Sequence, residues 1–306
     1  MDHNNIYLYG MILITNSFLL KDSYPKPDTY GEISKNYSLP GGETGTAATI
    51  LSNLGCQVVM AGTYMGTHTY PQIVDFYKSK SVDTSKLYLD STFNGLEDYV
   101  LIDKNTRTCF GTFDEYYSNG RIRWNEPQLN DILSSKVVGL DPWFGDMTHK
   151  VAVMCKEHHI PYVTIDCSYD CDTHKYSSIN VLSNEFLSSY YKEDDRNLLI
   201  QKYIENTDGL VIFTLGSKDI QYGRKVQGNI VIKHFTPYFI PVVSTLGAGD
   251  SFRAGCIYAL LKNMMDDDIV RFAAATAACA CTVFPLPLNP PTLKSIQDLQ
   301  DSQPNI

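Results

Sequence analysis

Pro241-Val242-Val243-Ser244-Thr245-Leu246-Gly247-Ala248-Gly249-Asp250-Ser251-Phe252 is the stretch on which the reading of this chain turns. Pro241–Thr245 reads as the end of a strand, Leu246–Gly249 as a tight turn, and Asp250 onward as the first turn of a helix. Glycines at 247 and 249 permit unusual φ angles and leave the backbone open to a ligand. N–H groups at a helix start have no intrahelical acceptor and share the positive end of the dipole, so they hold an anion such as a terminal phosphate. A carboxylate beside that anion is placed to accept a proton from an attacking hydroxyl. Phosphoryl transfer asks a protein mainly for positioning and charge stabilisation, which this turn supplies. Acidic residues also enter first turns for the dipole alone, so the stretch by itself leaves both readings of Asp250 open.

Spacing excludes two other phosphate-binding patterns. The chain holds no G-x-x-x-x-G-K-[ST] run, and Gly247-x-Gly249-x-x reaches Phe252 rather than a third glycine. The stretch also lies near the C-terminus instead of after the first strand, which argues against hydride transfer from a dinucleotide.

Working outward, Ile6–Ile14 is predicted as a first buried strand, followed by a polar excursion over about Ser17–Pro40. Gly41-Gly42 opens a helix whose Ala47, Ile50, Leu51 and Leu54 share one face; Gly55 ends it and Val58-Val59-Met60 begins a strand. A second excursion, about Thr92–Trp124, contains Tyr99–Ile102 and Cys109–Gly111 around the turn Asp103–Thr106, as a hairpin would. Strands at Val137–Leu140, Tyr162–Ile165, Ile179–Leu182 and Gly209–Thr214 then alternate with helices near Thr148–Lys156 and Asp195–Ile204. Helices over Ser251–Lys262 and Asp266–Val283 follow. This alternation predicts a mostly parallel sheet covered on both faces, with ligands gathering at the carboxyl ends of its strands. Asn16, Asp141, Asp166, Asn184 and Gly216 stand at such ends, although strand-end Asp and Asn also serve as plain turn formers.

The composition is that of a folded protein: 306 residues, 43% hydrophobic and 19% charged. A net charge of −9 and the lack of a Lys/Arg run exclude nucleic acid as an expected partner. Eight cysteines without a CxxC pair suit reduced, buried thiols, and Cys167, Cys171 and His174 match no zinc spacing. Ile6–Leu20 has no basic n-region, since Asp2 stands there, and Asn16 and Ser17 interrupt it. Neither a secretory leader nor a membrane span is expected, and the cytoplasm is the expected compartment.

Three stretches together resemble the ribokinase-like, or PfkB, carbohydrate kinase family. They are Gly41-Gly42-Glu43-Thr44-Gly45-Thr46-Ala47 through Gly55, Thr214-Leu215-Gly216-Ser217-Lys218, and Thr245-Leu246-Gly247-Ala248-Gly249-Asp250-Ser251-Phe252 with Gly255. Their order and spacing cover nearly the whole chain. The resemblance implies one three-layer α/β kinase domain over residues 1–306, with a mostly parallel central sheet and a small β lid made by the two excursions. It implies use of ATP and Mg²⁺ to phosphorylate a hydroxyl of a small sugar-like substrate. By the same likeness Asp250 is the catalytic base and Gly247, Ala248 and Gly249 form the anion hole. Gly41 and Gly42 touch the sugar, Thr214, Gly216 and Ser217 border the nucleotide, Asn184 lies near the Mg²⁺ and phosphates, and lid sheets pair two subunits.

Four positions depart from the family pattern. Thr15, with Asn16 next, stands where an Asp usually grips sugar hydroxyls, and Thr46 stands for a frequent Asn. Leu187 replaces the acidic residue of Asn-x-x-Glu, with Glu185 expected to point elsewhere, and Ser244 replaces an Asp tied to monovalent cations. Thr15, Asn16 and Thr46 are therefore the expected substrate-side residues, and the metal ligands are unassigned. Arg107, Arg121 and Arg123 on the second excursion are candidates to reach an anionic group. A nucleoside kinase of the same fold, or a binding protein that has lost catalysis, are the alternative readings.

Overall fold

The computed structural model describes residues 5–104, 106–117 and 123–304. Its strands, in chain order, are β1 (Asn5–Gly10), β2 (Leu13–Leu20), β3 (Ile33–Gly41), β4 (Gln57–Gly62), β5 (Val82–Asp83), β6 (Glu97–Ile102) and β7 (Arg107–Gly111). They continue as β8 (Val137–Leu140), β9 (Tyr162–Ile165), β10 (Ile179–Ser183), β11 (Leu210–Thr214), β12 (Ile220–Val226) and β13 (Asn229–Phe235).

Side chains alternate across a strand, and here both sides are apolar. Ile6 and Leu8 of β1, Val58 and Met60 of β4, and Leu210 and Ile212 of β11 enter one core cluster together with the helices Gly42–Asn53, Ala248–Leu261 and Asp266–Cys281. Tyr7, Tyr9, Val138 and Leu140 pack on the opposite face with Val151, Ala152 and Cys155 of the helix Asp146–Glu157. Farther along that face, Val211 and Phe213 meet Leu199, Ile200 and Tyr203 of the helix Arg196–Glu205. Burial on both faces is the condition for parallel pairing. The strand order is β13-β12-β11-β10-β9-β8-β1-β4-β5, and the pairs from β11 to β5 are parallel.

A second sheet, ordered β3-β2-β6-β7, forms the lid. The Ile6–Ile14 run is two strands rather than one: the backbone leaves the large sheet at Gly10 and re-enters pairing in the lid at Leu13. The lid therefore begins four residues before the expected Ser17, because apolar residues continue across the bend from sheet to lid. In the predicted hairpin turn, the Asp103 N–H donates to the Thr106 carbonyl at 3.0 Å; Asn105 lies outside the described residues.

Two further differences are local. Val242 and Val243 are 60% and 45% exposed and belong to no strand, although the β-branched run looked like one. Pro241 has no N–H to give a ladder, and the Val243 and Ser244 N–H groups both turn to the Cys281 carbonyl instead. The antiparallel hairpin β12–β13 and the C-terminal helix Leu293–Ser302, opened by a Thr292/Ser295 capping box, were not anticipated. Among the described residues no helix is long and apolar enough to cross a membrane.

Candidate active site

A cavity of about 320 Å³ lies at the carboxyl ends of the central strands, beneath the lid. Asp166, Ser183 and Thr214 reach it from the ends of β9, β10 and β11, as the topology requires of a crevice in a parallel sheet. Thr15, Ser17, Asp98, Arg107 and Cys109 enter from the lid, and Gly41, Gly42, Glu43 and Thr46 from the start of the first long helix. Gly247, Ala248, Gly249 and Asp250 form its floor.

The floor is built by one left-handed residue. Gly247 has φ +77°, caps the helix Ala248–Leu261, and lies so close to Leu286 and Thr46 that a Cβ would press on both. The turn is fixed by a Leu246 N–H donating to Ser244 Oγ at 3.2 Å and a Ser251 N–H donating to the Gly247 carbonyl at 2.9 Å. The Ala248 N–H is taken by the Thr245 carbonyl at 3.2 Å. Gly249 and Asp250, in the first helical turn, have N–H groups without an intrahelical acceptor, so these are the donors left for an anion.

Asp250 stands in this turn with its carboxyl pushed up to about 6, chiefly by burial; Arg253 opposes the rise and Asp141 adds to it. Glu43 is raised further, again by burial first and then by Asp141 and Asp250, so that it is largely neutral near pH 7. The Trp143 indole donates to Glu43 Oε1 at 3.1 Å. Asp166, with φ +46°, accepts from the Ser183 N–H at 2.7 Å and from Ser183 Oγ at 3.0 Å, which holds its carboxylate at the cavity wall. Burial raises it as well.

Ten of the sequence-predicted site residues converge on this cavity: Thr15, Gly41, Gly42, Thr46, Arg107, Thr214, Gly247, Ala248, Gly249 and Asp250. Four do not line it. Asn16 is on the other face of its strand, donating through Nδ2 to Glu97 Oε2 at 3.0 Å, because alternate residues of a strand face opposite ways. Asn184 is exposed at the first position of the helix Asn184–Tyr190. Gly216, with φ +69°, and Ser217 are exposed in the turn from β11 to β12.

Other candidates sort themselves by packing. Arg107 spans from lid to floor, its Nη1 donating to the Thr245 carbonyl at 3.2 Å and to Thr245 Oγ1 at 3.1 Å. Arg123 is buried away from the cavity, its guanidinium 4.6 Å from the Phe93 ring centre; Arg121 lies outside the described residues. Leu187 is in the core, and Glu185 lines the cavity. The short helix begins at Asn184, so residue 185 is still at its mouth. Asp98 and Glu43 were missed: Glu43 sat inside a quoted motif without a role, and Asp98 sat at the foot of the predicted hairpin.

Asp141, one of the strand-end candidates, is structural. It is fully buried and ion-paired with the equally buried Arg253, while its Oδ2 accepts from the Met11 N–H at 2.6 Å and from Thr44 Oγ1 at 3.0 Å. One carboxylate thus ties the exit of β1, the first long helix and the helix that carries Asp250. Arg253→Met would strand the Asp141 charge, and breaking a buried pair from one side costs about 3–5 kcal/mol. Urea unfolding of this variant is expected to show a loss of that order; a loss under 1 kcal/mol would refute the assignment.

The family model for pfkB family carbohydrate kinases matches residues 5–286. An uncharacterized sugar kinase of Dictyostelium discoideum is 48% identical over 66 residues, 20% of this chain and 19% of that protein. Such alignments are local: the chain spans between a fifth and a third of the length of the first curated relatives it matches. Ketohexokinase of Mus musculus is 22% identical over 300 residues, 92% of this chain and 97% of that one. In fold, the ribokinase of Arabidopsis thaliana, solved with ribose and ATP, superposes with a TM-score of 0.76 at 18% identity, covering 97% of this chain and 98% of that one. With its match running through both sheets and the Gly247–Asp250 floor, the chain belongs to the pfkB family of carbohydrate kinases.

Proposed function

We propose that this protein transfers the γ-phosphoryl group of ATP to a hydroxyl of a small sugar or sugar-like molecule, with Asp250 as general base. One observation carries the reading: a half-buried carboxyl poised at about 6 stands in the same helical turn as two N–H groups left free for an anion. At neutral pH Asp250 is ionised and can accept the acceptor's proton as the hydroxyl oxygen attacks. The Gly249 and Asp250 N–H groups meet charge that builds on the transferring group. Thr214 lines the nucleotide side, with the Gly216-Ser217 turn at its rim.

Mg²⁺ ordinarily binds through one or two carboxylates plus the nucleotide phosphates, and neutralises those phosphates. Asp166 and Glu185 both line the cavity and sense each other's charge, so this donor set fits such an ion. They would hold it in place of the acidic side chain that Leu187 does not provide.

A nucleoside acceptor is favoured by one feature: Phe113 and Phe284 line the same cavity and offer apolar ring surface. Screening sugars, polyols and nucleosides with MgATP for ADP release is expected to find at least one acceptor with saturable turnover. Saturable binding with no ADP from any acceptor would instead mark a binding protein and sink the proposal.

A further inference from the structure

The parallel pairing of β2 with β6 sets Asp98 directly across from Thr15, on the lid face that looks into the cavity. The Thr15 side chain lies beside the Asp98 carboxyl and favours its charged form. It is itself pressed against Gly41, where any Cβ would strike it. The carboxyl oxygen Oδ1 is buried and has no hydrogen-bond partner among the described residues. Buried acceptors are rarely left empty, and a cavity-lining carboxyl with an unpaired oxygen is placed to take a donor from a ligand. The remaining charge in the cavity sharpens what that donor can be. Asp98, Asp166, Glu185 and Asp250 all face it, and among the described residues Arg107, which gives Nη1 to Thr245 beside the floor, is the one Lys or Arg lining it.

We infer that Asp98 is the lid's acceptor-binding residue: its carboxyl accepts a hydrogen bond from a hydroxyl of a neutral, polyhydroxylated molecule, and acceptors already carrying a phosphate are refused. The hydroxyl it holds is a second one, distinct from the hydroxyl presented to Asp250. A sugar, a polyol or the ribose of a nucleoside meets this requirement, whereas a sugar phosphate would bring like charge against the lid carboxylate. The inference rests on the phosphotransfer reading for its meaning, but its contact can be measured without turnover.

The test is calorimetric binding and steady-state kinetics with D-ribose, D-fructose, mannitol and adenosine, and with ribose 5-phosphate and fructose 1-phosphate as charged counterparts. For the neutral compound bound best, Asp98→Ala should weaken Kd and raise KM about 10- to 100-fold, with Asp98→Asn in between. The kcat and the KM for ATP should stay within about threefold, and the melting temperature should not fall, since a buried carboxylate has been removed. Equal binding of that compound by Asp98→Ala and the parent protein would overturn the inference. So would failure of every neutral compound to bind, tighter binding of a phosphorylated counterpart, or a parallel rise in the KM for ATP. Asp98-dependent binding without any ADP release would uphold this contact while removing the kinase reading, so the two fail separately.

Discussion

Asp250→Asn is expected to lower kcat by about 10²- to 10⁴-fold while leaving the protein folded. The amide keeps the shape of the side chain and removes only its capacity to take a proton. Stability moves the other way. The folded Asp250 carboxyl is raised from 3.8 to about 6, chiefly by burial, so the folded state binds this proton more tightly than the unfolded chain does. The contribution of Asp250 to stability is therefore fully present below about 4 and is lost as pH rises through about 6. At pH 8 the parent carries a disfavoured, half-buried charge that the Asn variant lacks, so the variant should melt no lower. The parent's kcat should fall about tenfold per pH unit below about 6, because the protonated base cannot accept. Undiminished turnover by Asp250→Asn, or a flat kcat between pH 5 and about 7, would rule out the base.

The fold was legible where short apolar strands alternate with amphipathic helices, since a buried parallel sheet leaves that pattern in any chain. The floor of the site was legible for a related reason. Gly247, Gly249 and Asp250 are neighbours in sequence, so the turn, its free N–H groups and the base are all fixed locally. Asp98 was not legible, because its role depends on β2 and β6 lying side by side in register, and these strands are about eighty residues apart. The misread strand at Pro241–Thr245 shows the converse limit: β-branched residues favour a strand only where a partner edge exists, and Val243 and Ser244 find the Cys281 carbonyl instead. The β12–β13 hairpin had a usable cue in Gln227-Gly228, both with positive φ, followed by the alternating Asn229–Lys233. The exposed residues Asn184, Gly216 and Ser217 took their nucleotide and metal roles from likeness, and none of them lines the cavity.

Gly249→Ala gives the second large effect and separates catalysis from folding more sharply than any change at Asp250. Gly247 is needed by the backbone, since φ +77° is a left-handed conformation, so its replacement would disturb the turn itself. Gly249 is different: its φ is not in the left-handed range, and a Cβ there would meet no protein atom within 4 Å. It sits in a helix, where Ala is favoured over Gly by about 0.8–1 kcal/mol. Folding alone would thus prefer Ala at this position. What the missing side chain leaves is open cavity beside an N–H group, which is the space a transferring phosphoryl group needs if that N–H is to reach it. A methyl group in that space should cut kcat/KM for ATP by about 10²-fold or more, as loss of one oxyanion donor does, while raising the melting temperature. A thermally stabilised Gly249→Ala protein with parental kcat/KM would mean that phosphate binds elsewhere, and the floor of the cavity would lose its assigned role.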